Sequence, residues 1–454
     1  MVVVAQTKVS NPQHLHRNVF SLAWPAIIEM MLHMTVGIVD TAMVGRLGAV
    51  SLAGVGLANQ IFFLGTTVFG AIGTGNTALV ARHIGAKEPN RAGEVARQSL
   101  FLGLVVAVFV MIPLLFFTHQ IFGSLFRSTD PEVLAISVGY TRIVALALIF
   151  NYCLMLINGT LRGAGDTKAP MRITAVVNVC NIIGNYVLIF GVGPFPQLGI
   201  KGAAIATACA HVLGGLLALA TLLKTQSIEI QLGGPYRFDI TVIRRILKVG
   251  IPAALEQGSM RVGQLFYTML IASLGTASYA AHQVALNAES LSFMPGFGFS
   301  LAATTLVGQG LGAEDPDLAE RSGYAAHRMG LFIMSVMGVL FFVFPTQLIS
   351  VFTTDQEVIS LASYCLRLIA LSQPALAAIM IFAGGLRGAG DTKGILWITT
   401  TGFFGIRLFL SYILAIRLGY GLSGAWVAMA IDLNIRGLWI WLRFRSGYWK
   451  GLKI

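Results

Sequence analysis

The eight residues LRGAGDTK at positions 161–168 occur again, without a single change, at 386–393. Other matches follow the same order along the chain, and the sequence WPA around Pro25 aligns with IPA around Pro252. The shift along the chain that relates the two motif copies is nearly the same as the shift that relates the two prolines. A nearly constant offset predicts that the chain contains two copies of one structural unit.

The composition excludes most soluble classes of protein. Of 454 residues, 56% are hydrophobic and 11% are charged, and the mean hydropathy is +0.77. Soluble domains carry about 25% charged residues. Twelve bilayer spans of about 20 residues would use about 240 residues, which this apolar content supplies. We therefore predict a polytopic all-α membrane protein rather than a soluble enzyme, a disordered chain or a secreted disulfide scaffold.

Long apolar segments predict twelve membrane-spanning helices, at 17–41, 52–80, 97–119, 135–160, 171–192, 201–224, 247–272, 278–307, 325–347, 361–385, 395–416 and 422–443. An even number of spans places both termini on one side, which we assign to the cytoplasm. Of 31 Lys and Arg residues, 22 then fall in cytoplasmic segments, 4 in outer loops and 5 within spans. Such a bias marks the cytoplasmic side. We predict the plasma (inner) membrane, where basic residues face anionic lipid and need no nucleic acid.

The two copies divide the chain into two pseudo-symmetric lobes of six helices. Because six is even, both lobes share one orientation, and a parallel repeat relates them. A polar segment rich in Gly and Pro separates the lobes and is typical of a linker. The predicted divisions are a cytoplasmic arm at 1–16, an N-lobe at 17–224, a cytoplasmic linker at 225–246, a C-lobe at 247–443 and a cytoplasmic tail at 444–454. Two such lobes suggest alternating access around a central cavity.

Several longer segments together carry a family resemblance. They are VDTAMVGRLGAVSLAGVGLANQ at 39–60, GNTALVARHIGA at 75–86, both LRGAGDTK copies, IPAALEQ at 251–257, AAHQVALNAESLSFMPGFGFS at 280–300 and TTLVGQGLGA at 304–313. Over about residues 17–443 the chain resembles the multidrug and toxic compound extrusion (MATE) transporters, and within them the DinF-like branch. The resemblance implies a twelve-helix antiporter that expels organic compounds with a proton or sodium gradient.

Five acidic residues lie within the predicted spans: Glu29, Asp40, Glu256, Glu289 and Asp432. A carboxylate at bilayer depth is costly unless it is protonated, hydrated or paired, so each is a functional candidate. We select Asp40, Glu256 and Glu289 for proton or cation coupling. The alternative for the two glutamates is a buried pair with Arg261 or another intramembrane arginine. Asp432 and Arg436 are four residues apart on one helix, which favours a local ion pair.

Helical spacing groups further polar residues with these acids. Glu29, His33, Gly37 and Asp40 share one stripe of the first helix, and Asn178, Asn181 and Asn185 share one stripe of the fifth. Amides left in lipid would be unsatisfied, so the asparagines should face inward and hydrogen-bond a carboxyl. The alternatives are interhelical contacts for the asparagines, a position at a helix end for Asp40, and either an interhelical hydrogen bond or metal ligation for His33.

The resemblance implies roles for some of these residues. It identifies Asp40 as the first-helix carboxylate of the N-lobe and Asn181 and Asn185 as the polar pair of the fifth helix, and it adds Tyr140 and Thr207. Some relatives have an aspartate in place of Asn185, so a site with two N-lobe carboxylates is in doubt here. Another branch uses an aspartate on the tenth helix; this chain has none there, which disfavours that sodium site.

Three prolines within predicted spans are candidate hinges or static kinks: Pro25 and Pro252, at equivalent places, and Pro295, which we expect to interrupt the eighth helix. The two LRGAGDTK loops should form turns in which Asp caps a helix. The four cysteines occur singly, so we expect no disulfide, no metal site and no cofactor.

We predict a monomeric exporter, not an enzyme, that exchanges small amphipathic, cationic organic compounds for inward protons. Phe and Met side chains, 28 and 16 in number, would line an adaptable apolar cavity in part. The alternatives are a sodium-coupled MATE exporter and a flippase of lipid-linked saccharides from the same superfamily. An intramembrane enzyme is disfavoured because the sequence has no HExxH, GxSxG or paired Asp-rich motif.

Overall fold

The computed structural model describes residues 12–127, 129–229, 238–452 and 454, and every regular element within them is helical. Most of the predicted arm at 1–16 and residues 230–237 of the predicted linker lie outside the described residues. The helix that follows the linker begins at Ile240, inside the predicted linker range. The lobe and linker boundaries therefore stay predictions.

Seventeen α-helices follow one another through the described residues: α1 Pro12–Gly45, α2 Ala49–Gly85, α3 Pro89–Phe116, α4 Thr118–Leu125, α5 Pro131–Ala145, α6 Leu148–Gly163, α7 Lys168–Phe190, α8 Ile200–Lys224, α9 Ile240–Ala272, α10 Thr276–Gly312, α11 Pro316–Val343, α12 Pro345–Ser350, α13 Gln356–Ala370, α14 Gln373–Ala389, α15 Thr392–Thr400, α16 Phe409–Ser411 and α17 Gly421–Arg445. Two π-helical stretches, Thr401–Leu408 and Tyr412–Arg417, flank α16, and a 3₁₀ turn, Tyr448–Gly451, follows α17.

Most of these helices are long and apolar enough to cross a bilayer. Among the described residues, eight pass this test singly, and α5 with α6 and α13 with α14 pass as two bent pairs. The two remaining predicted spans are α2 and α9, which have 37 and 33 residues and exceed the length that a bilayer requires. Helical structure therefore covers each of the twelve predicted spans; α2 and α9 are long enough without passing the test of apolar composition, and the eleventh span combines α15, α16 and the two π-helical stretches.

The fourth and tenth spans are bent, although the sequence predicted straight helices at 135–160 and 361–385. Each pair of helices meets at 59°. At the bends, the N–H groups of Ala147 and Ser372 bond to carbonyls only three residues back, those of Val144 and Ile369. This tighter turn ends one helix and re-aims the next. The bends occur at equivalent places in the two repeats.

The eighth span, in contrast, is not interrupted. α10 runs continuously from Thr276 to Gly312 with Pro295 inside it. Proline removes one backbone hydrogen bond, but a transmembrane helix tolerates this where neighbouring groups compensate. The expected break at Pro295 was therefore wrong, while a hinge role for this residue stays a prediction. Pro25 and Pro252 also lie inside unbroken helices, α1 and α9.

The chain forms two compact units. The N unit comprises Ile28–Ile84 and Glu88–Gly250, and the C unit comprises the residues up to Ile27, Gly85–Lys87 and Ile251–Ile454. The helices that contain Pro25 and Pro252 are each divided between the units: α1 between Ile27 and Ile28, and α9 between Gly250 and Ile251. Each division therefore falls close to the proline of its helix.

Both units use the same close contact between their second and fourth spans. In the N unit, Thr77 Oγ1 donates to the carbonyl oxygen of Gly159 at 3.0 Å. In the C unit, Thr304 Oγ1 donates to the carbonyl oxygen of Gly384 at 2.8 Å. The repeat aligns the two threonines with each other and the two glycines with each other. Small residues permit such close backbone approach in membranes.

We expect Gly388→Ala to destabilise the C unit. A Cβ atom at Gly388 would collide with the backbone carbonyl of Thr304, which cannot move without displacing α10. Overpacking of this kind costs about 1–3 kcal/mol. The matched control is Gly258→Ala on α9, where an added Cβ meets no atom within 4 Å. Thermal unfolding of the purified protein in detergent should show a lower midpoint for the first variant only; equal midpoints would contradict this packing.

Candidate functional site

The N unit contains a cavity of about 490 Å³, a size typical of small-molecule sites. It is formed by side chains from α1, α2, α5, α6, α7 and α8. Its polar lining residues are Asp40, Thr41, Asn59, Thr66, Tyr140, Asn151, Tyr152, Asn185, Thr207 and His211. Because Asp40 is half-buried and lines this cavity, its carboxyl group is available to whatever occupies the space.

A chain of hydrogen bonds connects Asp40 to three helices. The amide Nδ2 of Asn185 donates to Asp40 Oδ1 at 2.7 Å and to Asn181 Oδ1 at 3.1 Å. Asn181 Nδ2 donates in turn to Thr207 Oγ1 at 3.4 Å, and Thr207 bonds to Tyr140. The structure thus brings together five residues that the sequence analysis singled out. Their roles in transport stay predictions.

Asp40 has no cationic partner within 4.0 Å among the residues that the structure describes. Two buried polar atoms beside it also lack hydrogen-bond partners there: Asn185 Oδ1 and His211 Nδ1. Unsatisfied buried groups are costly and normally take up water, a proton or a ligand group. The carboxyl group of Asp40 and these two unsatisfied residues line the same cavity.

The sequence analysis missed His211. It follows Thr207 by four residues on α8, so the two share one helical stripe, and this spacing could have identified it.

Asn178 does not contact Asp40. Its Nδ2 donates to the backbone oxygen of Leu32 at 2.8 Å, which is the interhelical contact that the sequence analysis gave as the alternative for the asparagines. His33 is exposed and is not among the cavity-lining residues.

Two acids form ion pairs with the arginines of the repeated motif. Arg162 Nη1 lies 3.0 Å from Glu29 Oε1 in the N unit. In the C unit, Arg387 Nη2 lies 2.8 Å and 3.0 Å from the two carboxylate oxygens of Glu256. Both glutamates are buried. The partner of Glu256 is thus the motif arginine rather than Arg261. The sequence could have indicated this, because the repeat matches Glu29 with Glu256 and Arg162 with Arg387.

The motif aspartates have the predicted capping role. Asp166 Oδ1 accepts hydrogen bonds from the backbone N–H groups of Lys168 and Ala169, and Asp391 Oδ1 accepts one from Gly394. Asp391 also accepts a hydrogen bond from Arg443 Nε at 2.7 Å. The loops therefore begin α7 and α15 as turn-and-cap structures.

A buried cluster of charges lies in the C unit. Asp432 is fully buried and accepts from Arg436, as predicted, at 2.6 Å and 2.7 Å, and from Arg407 Nε at 2.8 Å, which was not predicted. Two arginines and one aspartate leave one positive charge in excess. Glu289, also buried, lies within electrostatic range of Arg407 but forms no ion pair with it among the residues that the structure describes.

The repeat shows how the two units differ. The alignment of Pro25 with Pro252 places Tyr267 at the position of Asp40. Arg407 lies on the span of the C unit that corresponds to α7, the helix that carries Asn185. The Arg407 guanidinium lies 5.8 Å from the centre of the Tyr267 ring. Where the N unit has a carboxylate and an amide beside a cavity, the C unit has a phenol and a fixed cation.

We expect neutralisation of Asp432 to lower the stability of the protein, and neutralisation of Asp40 not to lower it. Asp432→Asn leaves two buried guanidinium groups uncompensated, which should cost about 3–5 kcal/mol. Asp40→Asn removes a charge that has no cationic partner in the described structure, so it should leave stability unchanged or slightly higher. Size-exclusion chromatography of heated, detergent-solubilised protein measures both. An Asp432→Asn protein as heat-resistant as the parent would refute the stabilising role of the ion pairs that Asp432 forms with Arg407 and Arg436.

Known proteins resemble this chain over nearly its whole length. The family model described as MatE matches twice, at residues 25–187 and 252–413, once for each repeat. The "Probable multidrug resistance protein NorM" of Thermotoga maritima is 32% identical over 442 residues, or 96% of this chain and 93% of that protein. The "Uncharacterized transporter YisQ" of Bacillus subtilis is 31% identical, with 98% of each chain covered.

Solved structures show the same fold. A mutant of the MATE transporter VcmN of Vibrio cholerae superimposes with a TM-score of 0.87 at 23% identity, covering 96% of this chain and 97% of that one. At this identity the similarity concerns the fold alone. With the family match, it confirms the predicted all-α fold of twelve transmembrane helices in two six-helix lobes.

Proposed function

The chain belongs to the MatE family of multidrug and toxic compound extrusion transporters, which are integral membrane proteins and not enzymes, and from this premise we propose that it exports small amphipathic organic cations in exchange for protons. Asp40 is the coupling residue in this proposal, and the cavity of the N unit is the substrate site. The assignment to the DinF-like branch remains part of the proposal.

The observation that carries the proposal is the uncompensated carboxylate on the cavity wall. Asp40 accepts one amide hydrogen bond and has no cation within ion-pair distance in the described part of the chain. A proton or a cationic substrate would each neutralise it, but one carboxyl group does not hold both. Competition for one group couples the two bindings, because each ligand lowers the affinity for the other.

The lining of the cavity suits an amphipathic cation. Phe62, Tyr140 and Tyr152 provide aromatic surface, and ring faces attract organic cations. Asn59 and Asn151 add amides that bind polar substituents of varied shape. A wall that is mostly apolar with a few polar groups is typical of small-molecule sites. We therefore favour substrates with one positive charge and an aromatic body.

The groups around Asp40 favour a proton over sodium as the coupling ion. The Asn185 group directed at Asp40 is an N–H donor, which pairs with a carboxyl group. Within the tenth span, the residues of interest are Tyr364 and Arg367, and no acid is present in the sequence 361–385. Sodium coupling is the alternative, and the experiment below separates the two.

The acids of the C unit are weaker candidates for coupling. Glu256 is compensated by Arg387, and Glu289 is not among the residues that line the cavity of the N unit. Protonating Glu256 would leave the half-buried guanidinium of Arg387 without its counter-charge. We propose that alternating access between the two units, with bending near Pro25 and Pro252, moves the substrate. The termini are cytoplasmic, the membrane is the plasma (inner) membrane, and the protein acts as a monomer.

We expect purified protein in proteoliposomes to move ethidium when a pH gradient is imposed and not when a sodium gradient replaces it. Asp40→Asn should lower the initial rate at least about tenfold, because the exchangeable charge is lost. Glu289→Gln is the control for the C unit and should retain a pH-driven rate. Fluorescence of the dye reports its movement.

Three outcomes would contradict parts of this proposal. Movement with sodium alone would replace the proton by sodium as coupling ion. Full pH-driven movement by Asp40→Asn would remove Asp40 from the mechanism, and loss of movement only in Glu289→Gln would transfer coupling to the C unit.

A further inference from the structure

The part of α1 that follows Pro25 is held to the N unit by three polar contacts. α1 joins this unit at Ile28, and the first contact is the ion pair of Glu29 with Arg162 on α6. The second is the hydrogen bond from Asn178 to the backbone of Leu32, and the third is the hydrogen bond between Asn185 and Asp40. The ion pair is therefore the contact nearest to the point where α1 enters the unit.

The C unit repeats this arrangement on α9. After Pro252, Glu256 pairs with Arg387, Ser259 Oγ lies 3.0 Å from Thr400 Oγ1, and Tyr267 donates to the backbone oxygen of Ala425 at 2.9 Å. The alignment of Pro25 with Pro252 matches the α1 residue of each contact with the α9 residue of the corresponding contact. Glu29 matches Glu256, Leu32 matches Ser259, and Asp40 matches Tyr267. The Glu–Arg pair occurs in both units, although the residues at the positions of Asp40 and Tyr267 differ. The pair therefore serves to hold α1 and α9 in place and does not take part in the chemistry at Asp40 or Tyr267.

The ion pair is the contact of the three, among the described residues, that joins two oppositely charged side chains. Glu29 is 1% exposed, and a charge-assisted hydrogen bond in a low dielectric exceeds a neutral amide contact. Glu29 and Asp40 lie on one stripe of a continuous helix, about 16 Å apart along its axis. A rotation or shift of α1 at Glu29 is transmitted to Asp40, because the helix between them is unbroken.

The two pairs differ in one respect. Arg387 contacts both carboxylate oxygens of Glu256, whereas Arg162 contacts Oε1 of Glu29, and Oε2 is buried without a hydrogen-bond partner in the described structure. The charged or titratable side chains that the contacts place around this part of α1 are His33 on α1 itself, Arg162 and Tyr152 on α6, Tyr140 on α5 and His211 on α8.

We propose that Glu29 and Arg162 are positioning residues for Asp40: their ion pair fixes the position of α1 on the N unit and so holds the carboxyl group against Asn185. This rests on the proposed coupling role of Asp40. The arginine of the first LRGAGDTK copy thereby acts on the coupling site from a distance, without contacting the cavity.

The test compares double variants that leave no unpaired buried charge, since removal of one partner alone can prevent folding. Glu29→Gln with Arg162→Gln removes the pair in the N unit, and Glu256→Gln with Arg387→Gln is the matched control in the C unit. The measurement is the pH at which the initial rate of ethidium movement in proteoliposomes is half-maximal. Asn185→Ala, alone and combined with the first double variant, completes a mutant cycle.

We expect the N-unit double variant to move this midpoint by about 0.5 to 1 pH unit, in the same direction as Asn185→Ala, which is the size for one lost hydrogen bond to the carboxyl group. Asn185→Ala should then have no additional effect in that background. The C-unit double variant should leave the midpoint unchanged, even where it lowers the rate.

Two results would overturn the proposal. An unchanged midpoint in the N-unit double variant, in a protein where Asp40→Asn abolishes pH-driven movement, would refute the positioning role and leave the proposed function standing. Equal midpoint shifts in both double variants would also refute the specific link to Asp40. Normal pH-driven movement by Asp40→Asn would instead refute the proposed function itself.

Discussion

The compensation of buried carboxylates organises this protein. A carboxylate inside a membrane-spanning helix is tolerated when a cation, a proton or a hydrogen-bonding group compensates its charge. Arginines of the same unit form ion pairs with Glu29, Glu256 and Asp432. Asp40 receives an amide instead, and it faces a cavity. The difference separates three acids that are paired with arginines from an acid on a cavity wall with no cationic partner among the described residues.

The repeat makes this difference visible, because equivalent positions of the two halves can be compared directly. Both units have the bent fourth span, the Thr–Gly contact and the Glu–Arg pair at equivalent positions. They diverge at the position of Asp40, where the C unit has Tyr267 with the guanidinium of Arg407 beside its ring. The charge beside Tyr267 is fixed to the chain, whereas the described residues place no cationic side chain within ion-pair distance of Asp40.

Periodicity and local spacing were sufficient to predict part of this structure from sequence. The twelve spans followed from apolar length, the Asp432–Arg436 pair from a spacing of four, and the meeting of Asp40 with Asn185 from two polar stripes and a family resemblance. Arg407 was not predicted as a partner of Asp432, because the two are on different helices and no local pattern connects them. The bends at Ala147 and Ser372 were missed for a related reason, since a change of hydrogen bonding by one residue leaves apolar composition unaltered. Pro295 shows the reverse error, where a strong local signal was overridden by its surroundings.

The equal bends of 59° in the two halves have a historical consequence. A geometric irregularity that no sequence rule demands, present twice at matching places, is most economically inherited from a single six-helix ancestor whose gene was duplicated and fused. Such an ancestor would have acted as a pair of identical subunits, each obliged to carry the same residue at the position of Asp40. Fusion removed that obligation. One half now has Asp40 and the other has Tyr267 at that position, so the two halves share a geometry without sharing an ionisable group there.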